Sequence, residues 1–249
     1  MRTVLSARVA LVLAAMTLGA CATTPATGTR PSTRASAPVV YAAIGASETY
    51  GIGAGDRYRQ AWPQVFYNDV LPPSAVFYNF GIPGATTAQA LHDEVPAAVA
   101  VHPTVVTVWL NVNDLINGVA APDYEAQLRQ VLRALRRGGQ ARVLVANTPD
   151  LAQLPAYRAC LPNAPAGGPA CLIPAGFMPK PQAVAAAVAA YNAAIGDAVK
   201  LEGATLVDLN LNDSQITLHP EWISADGFHP SNQGYAVIAK RFEDAYRRI

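Results

Sequence analysis

The 249-residue chain is poor in charge: Asp, Glu, Lys and Arg make up 14% of it, against roughly 25% in ordinary soluble domains. It carries no basic run longer than the pairs Arg136–Arg137 and Arg247–Arg248. A polyanion binder needs a basic face, so nucleic acid is excluded as a partner. Cysteine is scarce too, and three residues cannot furnish a Cys₄ zinc site. The chain also lacks a His-Glu-x-x-His motif and a P-loop, so no metal and no cofactor is expected. What it does have is apolar surface, at 51% of residues. That excludes a disordered chain, because burial of so much apolar area offsets the entropy of ordering.

The charge is unevenly spread. Arg2 and Arg8 precede Val9–Leu18, a short apolar stretch closed by small residues, which has the layout of an export signal over residues 1–20. The stretch is too short for a transmembrane helix. Its ending, Leu18-Gly19-Ala20-Cys21, resembles the lipobox of bacterial lipoproteins, which implies lipidation of Cys21 and a membrane anchor at the cell envelope. Residues 21–38 are Thr-, Ser-, Pro- and Ala-rich and read as a flexible tether. Residues 1–38 hold four arginines and no acid, so the formal +1 of the chain becomes −3 for residues 39–249. Cys160 and Cys171 are then an even pair, expected as a disulfide in an oxidising compartment.

From residue 39 onward, apolar runs alternate with amphipathic ones. Strands are expected at Val39–Ile44, Ala75–Phe80, Thr104–Leu110, Arg142–Ala146 and Thr205–Leu209. Helices are expected at Ala61–Val70, Thr86–Ala100 (kinked or split by Pro96), Tyr124–Arg137, Gln182–Leu201 and Asn232–Arg248. The Pro- and Gly-rich stretch 151–181 reads as a loop insertion, either a wall or lid for the site with Phe177, or a surface excursion. Strands apolar throughout and joined by helices predict an α/β fold, a three-layer α/β/α sandwich on a parallel sheet of about five strands. Reacting groups in such folds gather beyond the carboxyl ends of the strands.

Four segments lie there. Gly45-Ala46-Ser47 offers a hydroxyl at a strand-to-helix turn, and Asn79-Phe80-Gly81 a backbone N–H. Asn111-Val112-Asn113-Asp114 offers a carboxamide, with Asp114 a candidate helix cap. In Asp226-Gly227-Phe228-His229, a carboxylate three residues ahead of an imidazole can bind one ring nitrogen and leave the other free as a base. His92, His102 and His219 have no such partner at that spacing.

Taken in order, these segments resemble the blocks of the SGNH hydrolases, the GDSL esterase/lipase family, over nearly all of residues 39–249. The resemblance implies a flavodoxin-like SGNH fold, Ser47 as nucleophile, and Asp226 and His229 as its triad partners. It also implies an oxyanion hole from Ser47, Gly81 and Asn113. Ala46 and Asn111 depart from the family's usual Asp and Gly, which leaves the substrate open. The implied reaction is hydrolysis of carboxylic esters, small-molecule or lipid or glycan, through an acyl-enzyme, by a monomer. The competing class is a non-catalytic envelope module binding glycan or lipid on the same fold. A dinucleotide-binding reading of Gly51-Ile52-Gly53-Ala54-Gly55 fails because Asp56 stands where the fingerprint needs glycine.

Overall fold

A computed structural model describes residues 38–164, 166–171, 177–210 and 216–248. The expected signal, Cys21 and all but the last residue of the tether lie outside the described residues.

The first apolar run forms β1 (Val40–Gly45), followed by one-turn helices α1 (Ser47–Tyr50) and α2 (Arg57–Gln60) and by α3 (Trp62–Val70). Next come β2 (Val76–Asn79), α4 (Thr87–Ala100), β3 (Val105–Trp109), α5 (Val112–Ile116) and α6 (Ala121–Arg136). The alternation continues through β4 (Arg142–Ala146), α7 (Pro155–Arg158), α8 (Pro181–Glu202), β5 (Thr205–Val207) and α9 (Asn232–Tyr246). All strand pairings are parallel, in the order β2-β1-β3-β4-β5. This is the three-layer α/β architecture expected from the sequence.

Period-two alternation along the strands sorts side chains to the two faces. Ala42, Ile44, Val106, Val108, Val143 and Val145 pack under α4, α6 and α8. Tyr41, Ala43, Val105, Trp109, Leu144 and Ala146 pack under α3 and α9. On the second face the Trp62 and Phe242 rings stack at 4.1 Å between centroids, locking α3 to α9. Helix α6 owes its position to Leu128, Val131, Leu132 and Leu135, fully buried at helical spacing.

Two expectations need correction. Pro96 does not split α4, which runs on to Ala100. Proline at this position removes the bond to the His92 carbonyl, and both residues are exposed, so water can serve that carbonyl. The 151–181 stretch also contains regular structure: a 3₁₀ turn (Leu151–Gln153) and α7. Leu151 and Leu154 are buried against Val184 and Val188 of α8 in a third, smaller core. The Cys160–Cys171 disulfide is present within this stretch, and Phe177 is 80% exposed.

One buried contact ties α4 to the end of β1. Glu94, 1% exposed, accepts the Gly45 N–H at 2.8 Å. Burial, reinforced by the neighbouring Asp93, raises its pKa to about 8 in spite of that bond. Between about pH 4.5 and 8 the folded protein therefore retains a proton that the unfolded chain has released. Stability accordingly falls as pH rises through this window. Glu94→Gln, whose amide oxygen can still accept from Gly45, is expected to flatten that dependence and to melt several degrees above wild type at pH 8. Thermal melts of both proteins at pH 5 and pH 8 check this; parallel shifts in the two proteins would contradict it.

Candidate active site

The strand order reverses at β1, with β2 on one side and β3 on the other. The carboxyl ends of β1 and β3 open a crevice there, as they do in other sheets of this order. The polypeptide leaves β1 through Gly45, where a Cβ would fall 2.2 Å from Thr49 Oγ1 and 2.7 Å from the Trp109 carbonyl. Only glycine permits so tight an exit. Two residues later Ser47 begins α1, largely buried.

His229 lies 182 residues further along the chain, just ahead of Ser231, which caps α9 by accepting the Gly234 N–H. Its Nε2 lies 3.0 Å from Ser47 Oγ, and its Nδ1 lies 2.6 Å from Asp226 Oδ2. The loop that holds them closes on itself, with Ser224 N–H donating to the His229 carbonyl at 2.8 Å. Asp226 Oδ1 accepts from the Ser224 hydroxyl and from the N–H groups of Phe228 and His229, at 2.8, 2.8 and 2.9 Å. Burial alone would push the Asp226 carboxyl up. The N–H of Phe228, the His229 ring, the His229 N–H and the Ser224 hydroxyl together hold it down at about 2. A fixed anion therefore backs the imidazole.

Gly227 sits in this loop at φ +74°, where a side chain would also strike the Pro169 ring and the Ala156 backbone. Ala156 N–H donates to the Gly227 carbonyl at 2.9 Å. The 151–181 insertion thus borders the site through its backbone and Pro169.

The other sequence candidates fare unequally. Asn113 arrives on α5 and donates one amide hydrogen to the Ala85 carbonyl at 3.0 Å, which leaves the second available. Asp114 does not cap a following helix. Its carboxylate accepts the Thr87 N–H at 2.9 Å and the Thr87 hydroxyl at 3.1 Å, fastening α5 to the start of α4. Gly81 is committed elsewhere, since its N–H donates to Asn79 Oδ1 at 2.9 Å, so it does not present the free donor expected of it. Asn79 in turn donates to the Thr49 carbonyl at 2.7 Å. Gly84 adjoins the carbonyl that holds Asn113, and its N–H has no partner among the described residues.

Gly55 donates its N–H to Asn232 Oδ1 at 2.9 Å, so this glycine-rich loop fastens α1 to the start of α9. His92 and His219 face Asp93 and Glu221 at the surface, away from any nucleophile. Among the described residues, no group of three or more His, Cys, Asp or Glu could hold a metal.

Comparison with known proteins accords with this geometry. The model of the GDSL-like Lipase/Acylhydrolase family matches residues 43–237. An esterase EstA from Pseudoalteromonas, inhibited by monoethylphosphonate in its crystal structure, superposes with a TM-score of 0.60 at 15% identity, over 84% of this chain and 97% of its own. A lipase/acylhydrolase from Enterococcus faecalis superposes with a TM-score of 0.60 at 17% identity, over 83% and 94%. A variant of a Geobacillus acetyl-xylooligosaccharide esterase does so with a TM-score of 0.59 at 18% identity, over 83% and 93%. No curated protein sequence matches the chain. These structures share the fold, and the family match extends over most of the chain and takes in the serine turn, the asparagine segment and the Asp-x-x-His loop: the protein belongs to the GDSL-like lipase/acylhydrolase family of hydrolases.

Proposed function

We propose that this protein hydrolyses carboxylic esters through an acyl-enzyme on Ser47. The observation that carries the reading is the continuous hydrogen-bonded line from Asp226 through His229 to the Ser47 hydroxyl. A serine hydroxyl is a poor nucleophile at neutral pH and needs a base within hydrogen-bond reach. His229 Nε2 takes the proton as Oγ attacks the carbonyl carbon. The charge then moves onto the carbonyl oxygen, and the imidazolium is stabilised by the Asp226 carboxylate. Return of the proton to the leaving alcohol expels it and leaves the acyl group on Ser47. Water, activated by the same imidazole, resolves that ester.

The oxyanion needs donors already in place. The Ser47 N–H, in the first turn of α1, and the second amide hydrogen of Asn113 are two of them. Gly84 N–H supplies the third, the role first expected of Gly81. Each such donor is worth about 10²–10³ in rate.

A non-catalytic glycan- or lipid-binding module would have no need of an ionised carboxylate aligned behind a histidine that reaches a serine. Substrates in this reading are small-molecule esters, or lipid and glycan esters presented at the cell envelope. The protein acts there as a monomer exported and anchored through lipidated Cys21.

Hydrolysis of a short-chain aryl ester tests the chemistry. Wild type is expected to turn over, Ser47→Ala to be silent, Asp226→Asn to lose about 10³–10⁴-fold in kcat, and Asn113→Ala about 10²–10³-fold. Full turnover by Ser47→Ala would overturn the reading. Fractionation of expressing cells tests the anchor: Cys21→Ser should move the protein out of the membrane fraction, and its retention there would refute lipidation at that residue.

A further inference from the structure

The nucleophile has a second neighbour that the triad does not use. Glu48, the next residue in α1, is buried, and its Oε2 lies 3.3 Å from Ser47 Oγ. The carboxyl stands directly beside the serine in sequence as well as in space. Glu48 lines an apolar cavity behind the triad loop, walled by Trp109, Val112, Leu209, Trp222, Phe228 and Ile238. Glu48 itself is 8% exposed.

Ser47 carries one hydroxyl proton, and two groups compete for it. His229 Nε2 at 3.0 Å is the productive acceptor. An ionised Glu48 would be a second acceptor and would draw the proton away from the base. A neutral Glu48 does the opposite, because its own O–H can point at a lone pair of Ser47 Oγ. We propose that Glu48 is a positioning residue for the nucleophile: as the neutral acid it donates to Ser47 Oγ and turns the serine's single proton toward His229. This inference rests on the esterase reading above.

The groups facing Glu48 bear on its protonation. Burial is the largest influence and pushes its carboxyl up, and Asp226 adds to this; its own backbone N–H, His229 and the Ser47 hydroxyl act in the opposite direction. Tyr235 of α9 also faces it, with a phenol raised chiefly by burial. Arg241, further along α9, lines the same cavity. The net direction is upward, toward the acid form. As pH rises, loss of that proton converts a donor into a competitor, so the rate is expected to fall on the alkaline side.

The test measures kcat and KM for a short-chain aryl ester from pH 5 to pH 9.5, on full-length wild type, Glu48→Leu and Glu48→Gln, with Ser47→Ala as control. Glu48→Leu is expected to lower kcat about tenfold, the scale of one hydrogen bond, with KM within about twofold. Glu48→Gln, whose amide donates at every pH, should recover most of that loss and lack the alkaline decline of wild type. Should Glu48→Leu fail to fold by circular dichroism, the near-isosteric glutamine variant decides alone through its alkaline limb. A leucine variant with wild-type kcat, a glutamine variant that keeps the wild-type alkaline limb, or a wild type without one would overturn the inference. If wild type turns over, Ser47→Ala is silent and the Glu48 variants match wild type, only this inference falls. Absence of any wild-type turnover removes the esterase reading and this inference together.

Discussion

The 3.0 Å approach of His229 Nε2 to Ser47 Oγ is the constraint around which the molecule is organised. It joins residues near opposite ends of the folded chain, and several elements between them help to keep it. The sheet order places the end of β1 at the switch point, and the glycine exit of β1 sets Ser47 at the rim. The stacked Trp62 and Phe242 fix α3 to α9, which carries the Asp226–His229 loop at its start. The insertion braces that loop from outside through Ala156 and Pro169. A hydrogen bond of this kind contributes little to stability by itself, about 1 kcal/mol net. Its geometry is set by packing that would exist without it.

Two buried carboxyls stand close to this arrangement, and both lie against their local interest. Glu94 holds the Gly45 N–H from beneath the serine turn, and Glu48 stands beside the serine itself. Apolar replacements would avoid the cost of burying them. Their contacts with Gly45 and Ser47 fit a site in which stability yields to the placement of one hydroxyl.

Much of the fold could be read from the residues. The apolar runs became the strands, and the Leu128–Leu135 spacing became α6 within a turn at its start. The short helices α1, α2, α5 and α7 were missed, because four or five residues show no periodicity and are set by tertiary contacts. Pro96 does not split α4, since the His92 carbonyl it frees is at the surface, and exposure is not visible in sequence. At the site, Asp226 lies against His229 as their three-residue spacing implied, and Ser47 lies against His229 as the family resemblance implied. Gly81 and Gly84 both follow β2, and what separates them is the Asn79 side chain folding back on the first. Glu48 and Glu94 look like surface charges in a linear sequence. The one available signal for Glu48 was an acid directly after the candidate nucleophile, where an apolar strand end leads into the turn.

The central claim is that Ser47 is an activated nucleophile, and covalent labelling tests it most directly. A fluorophosphonate presents phosphorus to an activated serine, displaces fluoride and leaves a stable phosphonyl ester. Full-length protein treated with such a reagent should take up one label per chain, located on Ser47 by peptide mass spectrometry, with esterase activity lost in proportion. A protein that stays active and unlabelled, or carries its label on another residue, would contradict the account.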